Sequence, residues 1–178
     1  MNCFCLNKST PTDARLVFKV VVIGDSGVGK TSIIRRCVDG TFPENPSTIS
    51  GNEWHIRPME HLDLELWDVS EHDGAAAYCQ GTDGLIIAYD ITSRESFERV
   101  DAFLAGVNAS LKNDSLKVLL GNKYDKTEER IVSTEEGMMK ANALGMTFFE
   151  SSAKDYTNIE EALEFLAHKL GTLRKQNP

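Results

Sequence analysis

The sequence predicts an α/β domain built on a mostly parallel sheet. Apolar runs of strand length alternate along the chain with amphipathic helix patterns, which is typical of parallel strands joined by crossover helices. A glycine-rich turn joins the first such strand to the first helix. The 178 residues suffice for one domain with its own core. We expect a flexible N-terminal tail over residues 1–14, the domain over 15–172 and a C-terminal tail over 173–178.

The strands are predicted from short apolar runs bounded by glycine, proline and polar residues. The first run, LVFKVVVIG, is β-branched and ends in glycine, and a helix is predicted after it over 31–38. A loop follows over 41–51, where two prolines and a glycine occur. Two alternating segments around Pro58 then indicate a hairpin. The predicted strands cover residues 16–24, 53–57, 61–68, 83–90, 116–121 and 146–150.

The later helices are predicted from their first turns and from one apolar stripe. A hydroxyl residue followed three positions later by glutamate is the signature of a capping box. It occurs at Thr92 with Glu95, at Ser133 with Glu136 and at Thr157 with Glu160. The last helix carries a stripe of apolar residues that should face the core. This stripe consists of Ile159, Leu163, Leu166 and Leu170.

The negative charge of the chain is concentrated in one segment. The formal net charge is −8, and residues 41–90 contain ten acidic side chains against one basic side chain, Arg57. Binding to duplex nucleic acid needs a basic stripe that releases counterions, so such a partner is disfavoured. No run of apolar residues is long enough to span a membrane. The acidic segment is either a solubilising face or a surface that binds partners.

The four cysteines fit an intracellular protein, and their spacing matches no zinc pattern. Cys37 and Cys79 lie among apolar residues and are expected to be small core side chains. Cys3 and Cys5 are expected to be free thiols on the tail, with acylation as the alternative. Residue 2 is Asn and the chain ends in KQNP, so neither N-myristoylation nor C-terminal prenylation of this chain is expected.

The glycine-rich turn of residues 24–31, here called the P-loop, carries the first recognisable chemistry. Its sequence GDSGVGKT fits the pattern G-x-x-x-x-G-K-[ST]. In that pattern, glycines let backbone N–H groups point at a phosphate, and the following helix adds the positive end of its dipole. Lys30 would neutralise β- and γ-phosphate charge, and the Thr31 hydroxyl would ligate Mg²⁺. The P-loop therefore predicts a nucleotide site.

Two further motifs follow later strands and favour guanine as the base. The tetrapeptide Asn122-Lys123-Tyr124-Asp125 comes after the strand of 116–121, at the end where open α/β sheets bind ligands. The carboxylate of Asp125 can accept hydrogen bonds from N1–H and the 2-amino group of guanine, a pair that adenine lacks. The segment ESSAK (150–154) follows the last strand. The order of these motifs, each at a strand end, is more specific than any one of them.

With these motifs in this order, residues 15–172 resemble the Ras superfamily of small GTPases, and within it the Rab branch. The likeness lies in GDSGVGKT, in WD at 67–68, in YDIT followed by RESF, in GNKYD and in ESSAK. It implies a P-loop G domain. Such a domain has a six-stranded, mostly parallel sheet with one antiparallel strand and about five flanking helices, and it binds GDP or GTP with Mg²⁺.

The resemblance also implies which residues contact the nucleotide. Phe42 matches the aromatic residue that packs on guanine, and Thr48 and Asp68 match residues that hold Mg²⁺. Ser47 or Ser50 is the alternative to Thr48, which lies one residue closer to the P-loop than is usual in the family. The implied nucleotide-binding residues are Asp25, Ser26, Gly27, Val28, Gly29, Lys30, Thr31, Ser32, Phe42, Thr48, Asn122, Lys123, Asp125, Ser152, Ala153 and Lys154. The implied Mg²⁺ ligands are Thr31, Thr48 and Asp68.

The departures from the family pattern fall in the switch segments. The usual WDTAGQE is WDVSEHD here, so Glu71 replaces a nearly universal glycine and His72 replaces the glutamine that orients the attacking water. Glutamate loses the close backbone approach that glycine allows and brings a carboxylate near a polyanion. A histidine can orient water if a neighbour positions its ring, but the stretch from Trp67 to Gly81 is shorter than in a Rab protein. We therefore predict slow GTP hydrolysis, with His72 as the candidate catalytic residue.

Three functions are compatible with these features. They are a GDP/GTP switch with slow hydrolysis, a GTPase of ordinary speed in which His72 catalyses, and a pseudo-GTPase scaffold whose nucleotide is structural or absent. The Asn122–Asp125 motif argues against a small P-loop kinase. The resemblance implies a role in vesicle trafficking through effector and exchange-factor proteins. We expect a monomer in the cytoplasm, associated peripherally with endomembranes, whose partners present basic surface to residues 41–90.

Overall fold

The structure, a computed structural model, describes residues 15–42, 53–69 and 74–176. The predicted tail over 1–14, with Cys3 and Cys5, lies outside the described residues, as does most of the predicted loop over 41–51. The strands are β1 (Leu16–Gly24), β2 (Glu53–Pro58), β3 (Leu62–Asp68), β4 (Gly84–Asp90), β5 (Leu116–Asn122) and β6 (Thr147–Glu150). The helices are α1 (Lys30–Asp39), α2 (Ala75–Tyr78), α3 (Arg94–Glu98), α4 (Val100–Val107), α5 (Thr134–Ala143) and α6 (Ile159–Gln176).

The strands form one sheet in the order β2-β3-β1-β4-β5-β6. β2 pairs with β3 in antiparallel fashion, and the other neighbouring strands pair in parallel. All six predicted strands are found, with ends within one residue of the expected positions. The predicted fold class, a mostly parallel sheet with one antiparallel strand and flanking helices, is confirmed.

Alternate residues of β1 face the two sides of the sheet, as the pleat requires. Val20 and Val22 pack in the cluster that includes α1 and α6, whereas Val21 and Ile23 pack in the cluster that includes α3 and α4. Every residue of β4 is buried. Such a strand has helices on both faces, which is why its sequence is a continuous apolar run rather than an alternating one.

The predicted apolar stripe of the last helix is confirmed. Its four members, Ile159, Leu163, Leu166 and Leu170, are all buried in α6. Full burial of one such side chain contributes roughly 1.5–3 kcal/mol, so the stripe anchors this helix on the sheet. The helix continues to Gln176, and the boundary predicted at residue 172 therefore lies inside α6.

Two of the predicted helix starts have different outcomes. At α5 the capping box forms: the Ser133 hydroxyl accepts from the Glu136 N–H at 3.2 Å, and the Glu136 carboxylate accepts from the Ser133 N–H at 2.9 Å. The capping box at Thr92 is wrong, because Ser93 caps α3 instead. Thr92 is engaged elsewhere, since its N–H and its hydroxyl both donate to the Asp90 carboxylate at 2.8 Å.

The third predicted capping box, at Thr157, is also wrong. The carboxylate of Glu160 does not return to Thr157, because it accepts from Arg57 of β2 at 2.8 Å and from the Tyr156 hydroxyl at 2.6 Å. Both partners lower the pKa of Glu160 against the opposing effect of its partial burial, which is the largest single influence. A contact with a distant strand has displaced the local capping interaction.

The two cysteines within the described ranges are buried, as predicted. Burial raises the pKa of the Cys37 thiol to about 12 and that of Cys79 to about 11. Such thiols are protonated at neutral pH and serve as small apolar side chains. Across the part of the chain that the structure describes, no helix combines the length and the apolar character needed to cross a bilayer.

Candidate nucleotide-binding site

The predicted site segments leave the sheet at one edge. The P-loop follows β1, Asp68 ends β3, Asn122 ends β5 and Glu150 ends β6. These strands are parallel, so their carboxyl ends lie together, and open α/β sheets bind ligands at this edge. The described site residues are therefore collected from four parts of the chain.

The P-loop approaches its neighbours so closely that glycine is required at two positions. Gly24 and Gly29 have φ angles of 148° and 98°. A Cβ atom on Gly24 would lie 2.2 Å from the carbonyl oxygen of Ala88, and one on Gly29 would lie 2.5 Å from Nδ2 of Asn122. Both the backbone conformation and the available space exclude a side chain there.

Lys30 is held inside the curve of the P-loop. Its Nζ donates to the carbonyl oxygens of Gly24 and Asp25, at 2.9 Å in each case. Burial lowers the pKa of Lys30, while the nearby carboxylates of Asp68 and Asp25 act in the opposite direction. The ammonium group is thus tethered at the position from which it could neutralise a bound phosphate.

Thr31 and Asp68 form a pair of oxygen donors beside the P-loop. The Thr31 hydroxyl, at the start of α1, donates to the Asp68 carboxylate at the end of β3. Burial raises the pKa of Asp68, and the hydrogen bond from Thr31 and the charge of Lys30 lower it. One hydroxyl and one carboxylate suit Mg²⁺, which prefers hard oxygen ligands and completes its shell with water and phosphate.

The residue set around this pair also limits what metal could bind there. Among the described residues no group of three or more His, Cys, Asp or Glu side chains could hold a metal ion. A cage made wholly of these side chains is therefore absent from the described ranges. The donor set of Thr31 and Asp68 fits a Mg²⁺ ion that also binds a nucleotide phosphate.

Asn122 connects three segments of the site. Its side-chain nitrogen donates to the Val28 carbonyl at 2.8 Å, and its side-chain oxygen accepts from the Ala153 N–H at 3.3 Å. The Ser151 hydroxyl also donates to that oxygen, at 3.4 Å. Asn122 is 2% exposed, and its buried amide joins the P-loop to the segment of Ser151 and Ala153.

Asp125 and Lys123, from the same motif as Asn122, are each held by a side-chain contact. The Ser152 hydroxyl donates to the Asp125 carboxylate at 2.7 Å and so fixes its orientation. Lys123 adopts the left-handed conformation with φ of 67°, and its Nζ lies 2.7 Å from the carboxylate of Asp90. The left-handed conformation of Lys123 separates the end of β5 from the short helical segment that contains Asp125.

These residues line one cleft of about 260 Å³. Its lining consists of Gly27, Gly29, Ser32, Phe42, Asn122, Lys123, Asp125, Lys126, Ala153 and Lys154. All except Lys126 were predicted from the sequence. Lys126 belongs to none of the motifs, and Asp90 lies in YDIT but was not predicted as a site residue; the fold brings both to the site. Asp25, Ser26, Val28, Lys30, Thr31, Ser152 and Asp68 lie at the same edge through the contacts described above.

Five residues that the sequence analysis names in the switch segments lie outside the described residues. Thr48, the predicted switch threonine, lies outside the described residues, and so do its alternatives Ser47 and Ser50. Glu71 and His72 also fall outside them. The structure therefore does not describe His72, and its role in hydrolysis stays a prediction.

A row of three aromatic side chains lies beside the nucleotide site. Trp54 of β2 pairs with Trp67 of β3 across the hairpin, with ring centroids 6.5 Å apart. Tyr78 of α2 continues the row at 6.0 Å from Trp67. Trp54 is 55% exposed, an unusual degree for a tryptophan. The sequence analysis did not single out this row, because its members are separated along the chain.

Comparisons with known proteins agree with this geometry. A family model described as "Ras: Ras family" matches residues 19–172. The chain is 34% identical over 170 residues to "Ras-related protein RIC1" of Oryza sativa subsp. japonica, which covers 91% of this chain and 84% of the relative. It is 36% identical over 154 residues to "Ras-related protein RABD2a" of Arabidopsis thaliana, which covers 82% and 76%. The chain therefore belongs to the Ras family of small GTPases, which are GTP hydrolases, and is Rab-like within it.

Proposed function

We propose that this GTPase binds GDP or GTP with Mg²⁺ in the cleft described above and acts as a slowly hydrolysing switch in vesicle trafficking. The observation that carries the proposal is the double hydrogen bonding of Asn122. It joins the P-loop at Val28 to the segment of Ala153. Gly27 and Gly29 of the P-loop and the carboxylate of Asp125 line the same cleft.

Base selection in this proposal rests on Asp125. Its carboxylate accepts a hydrogen bond from Ser152 and retains lone pairs for N1–H and the 2-amino group of guanine. Phe42, which is 38% exposed and lines the same cleft, offers a ring face for packing on the base. Adenine offers this carboxylate no such pair of donors, which disfavours adenine.

Phosphate and metal binding in this proposal rest on Lys30, Thr31 and Asp68. Lys30 would neutralise phosphate charge, Thr31 would ligate Mg²⁺ directly, and Asp68 would hold it through water. Bound Mg²⁺ supplies charge neutralisation between the phosphates. The Thr31–Asp68 hydrogen bond keeps both oxygens at one place before any metal arrives.

Slow hydrolysis in this proposal rests on Glu71 and His72. A carboxylate about 4 Å from a phosphate oxygen would oppose it by roughly 4 kcal/mol at an effective dielectric near 20. Outward rotation of the side chain would relieve most of this repulsion, so the figure is an upper bound. His72 would have to orient water in place of the usual glutamine.

Partner binding in this proposal uses the row of Trp54, Trp67 and Tyr78. Exposed aromatic residues supply much of the binding energy at protein interfaces. The surrounding segment 41–90 is acidic, so effector and exchange-factor surfaces that bind there would be basic. The Rab-like relatives support vesicle trafficking as the setting.

The test begins with the nucleotide content of the purified protein. We expect GDP or GTP to be released on denaturation, and labelled GTP to bind at micromolar concentration in the presence of Mg²⁺. If neither is observed, the switch function is wrong and the pseudo-GTPase scaffold is favoured. A single-turnover assay then measures hydrolysis. Hydrolysis as fast as that of a typical Rab protein, and slowed by His72→Ala, would contradict the slow-switch proposal.

A further inference from the structure

We propose that Arg99 is a positioning residue that holds the P-loop in its nucleotide-binding shape and thereby slows nucleotide release. This inference rests on the nucleotide binding proposed above. The pattern that identifies the P-loop does not include Arg99, which lies far from it in the chain.

The inference starts from the contacts of Asp25, the second residue of the P-loop. Nη1 of Arg99 lies 2.7 Å from Oδ1 of Asp25. The same carboxylate oxygen accepts the N–H of Ser26 at 2.7 Å, and the carbonyl oxygen of Asp25 accepts from Lys30 at 2.9 Å. Asp25 is therefore bound by Arg99 through its side chain and by Lys30 through its backbone, so the two cations together fix this part of the P-loop.

Arg99 is held in place by its backbone and by an aromatic neighbour. It lies where α3 ends and α4 begins, and its N–H donates to the carbonyl of Glu95 at 3.1 Å. Its guanidinium carbon lies 5.4 Å from the centroid of the Phe103 ring, a cation–π distance. A guanidinium held from a helix junction loses less conformational entropy when it binds Asp25 than a free surface side chain would.

The P-loop needs such a bond because space is available on both of its sides. The nucleotide cleft occupies one side. A second cavity of about 270 Å³ is lined by residues 25–28 together with Asp90, Ser93, Glu95 and Ser96. A Cβ atom on Gly27 would meet nothing within 4 Å, so close packing does not hold this part of the loop. Specific hydrogen bonds hold it instead, and Arg99 supplies one of them through Asp25.

The pair differs from an ordinary surface salt bridge. Exposed ion pairs contribute little, because water screens them. The Arg99 side chain is 38% exposed, but the Asp25 side chain is only 14% exposed, and its carboxylate also accepts the Ser26 N–H. Charge-assisted hydrogen bonds in this setting are the strong ones. Arg99 also adds positive charge, beside that of Lys30, to a carboxylate that would lie next to bound phosphates.

The experiment measures release of fluorescently labelled GDP from the Mg²⁺-loaded full chain after addition of excess unlabelled GDP. We expect Arg99→Met to release GDP about tenfold faster, which corresponds to the loss of one hydrogen bond to a charged group. Arg99→Lys keeps the charge and should restore most of the difference. Arg99→Met combined with Asp25→Asn should be little faster than Asp25→Asn alone, because the effect of Arg99 on the P-loop is proposed to pass through the Asp25 carboxylate.

The matched control is Arg94→Ala. Arg94 begins the helix α3 that Arg99 follows, but it pairs with Glu136 and the carbonyl of Ile131 rather than with the P-loop. This variant should lower the unfolding temperature without changing GDP release. Equal acceleration by Arg94→Ala and Arg99→Met would overturn the positioning role, since both would then act through general stability.

Hydrogen exchange of the amides of residues 25–29 in the GDP-bound protein provides a second readout. Exchange should be faster in Arg99→Met and normal in Arg94→Ala. If Arg99→Met does not fold, Arg99→Gln gives the same comparison. A wild-type protein that fails to bind labelled GDP would overturn the proposed function and this role together. GDP binding with wild-type release rates and wild-type exchange in the Arg99 variants would overturn this role alone.

Discussion

The side-chain nitrogen of Asn122 donates a 2.8 Å hydrogen bond to the carbonyl oxygen of Val28, 94 residues earlier in the chain. One buried amide thereby joins the end of β5 to the P-loop. Because the oxygen of the same amide accepts from Ala153, one side chain contacts both halves of the cleft. The affinity for nucleotide should therefore be sensitive to residues that contact neither phosphate nor base directly.

Base selection can be tested with Asp125→Asn. The amide retains an oxygen that can accept from Ser152, so the fold should be kept, but it cannot accept both guanine donors. We expect GDP affinity to fall about tenfold to a hundredfold, as hydrogen bonds to a charged group are lost, and affinity for xanthosine diphosphate to rise. Competition against labelled GDP measures both. Asp155→Asn, at an exposed position of the neighbouring loop, is the control, and an unchanged guanine preference in Asp125→Asn would refute the assignment.

The phosphate and metal assignments can be separated with two variants. Lys30→Ala should weaken GDP binding whether or not Mg²⁺ is present, because phosphate charge is left uncompensated. Thr31→Asn should weaken binding chiefly when Mg²⁺ is present, so chelation by EDTA should accelerate GDP release far less than in the wild type. Arg35→Ala, on the same helix but outside the cleft lining, should behave as wild type. Wild-type affinity and wild-type EDTA response in both site variants would contradict the site.

The switch II substitutions can be tested by restoring the family residues. We expect Glu71→Gly combined with His72→Gln to raise the single-turnover rate of GTP hydrolysis by about tenfold or more, as a water-orienting group is restored. GDP affinity should change little, because both residues are proposed to act at the γ-phosphate, which GDP lacks. No increase in rate would mean that Glu71 and His72 do not limit hydrolysis.

Acid should weaken the fold through Glu136. Hydrogen bonds from Arg94, and then from the Ser133 N–H, lower the pKa of Glu136 from its ordinary 4.5 to about 2. A carboxyl group with a depressed pKa in the folded state contributes stability above its unfolded pKa and loses it as pH falls towards the folded value. Glu136→Gln should therefore lower the free energy of unfolding at neutral pH, and the difference should shrink between about pH 4.5 and 2. Urea unfolding across this range measures it, and a difference independent of pH would exclude the ionic contribution.

Two helical glycines should respond oppositely to the same substitution. Alanine normally stabilises an exposed helix by about 0.5–1 kcal/mol, and Gly106→Ala in α4 should do so, because its Cβ would meet nothing within 4 Å. In α5, the Cβ of Gly137→Ala would lie 2.5 Å from the Phe148 ring and 2.6 Å from the Tyr89 hydroxyl. Overpacking there should lower the free energy of unfolding by about 1–3 kcal/mol. Chemical denaturation compares the two variants. Stabilisation by both would show that Phe148 and Tyr89 can shift to accommodate the added methyl group.

Several parts of this molecule were predictable because the information is local. The P-loop needs a strand, a glycine turn and a helix in sequence order, and all three are contiguous from Leu16 to Asp39. The Asn122–Asp125 motif directly follows its strand. Its placement required only that parallel strands present their carboxyl ends at one edge. The α6 stripe was predictable for the same reason, since helical periodicity is contained within a few turns.

The tertiary structure decided the features in which one side chain had several possible partners. Thr92 donates to the Asp90 carboxylate, and Ser93 caps α3 in its place. Glu160 binds Arg57 and does not form a local capping box. A capping motif states what a carboxylate or hydroxyl can do nearby, but a charged group that the fold brings within hydrogen-bond distance competes with it. The Arg99–Asp25 contact also arises only in the fold, because no motif around Arg99 predicts Asp25 as its partner. Sequence by itself determined where the loops of the site begin, and only the packed fold decided which side chains hold them in place.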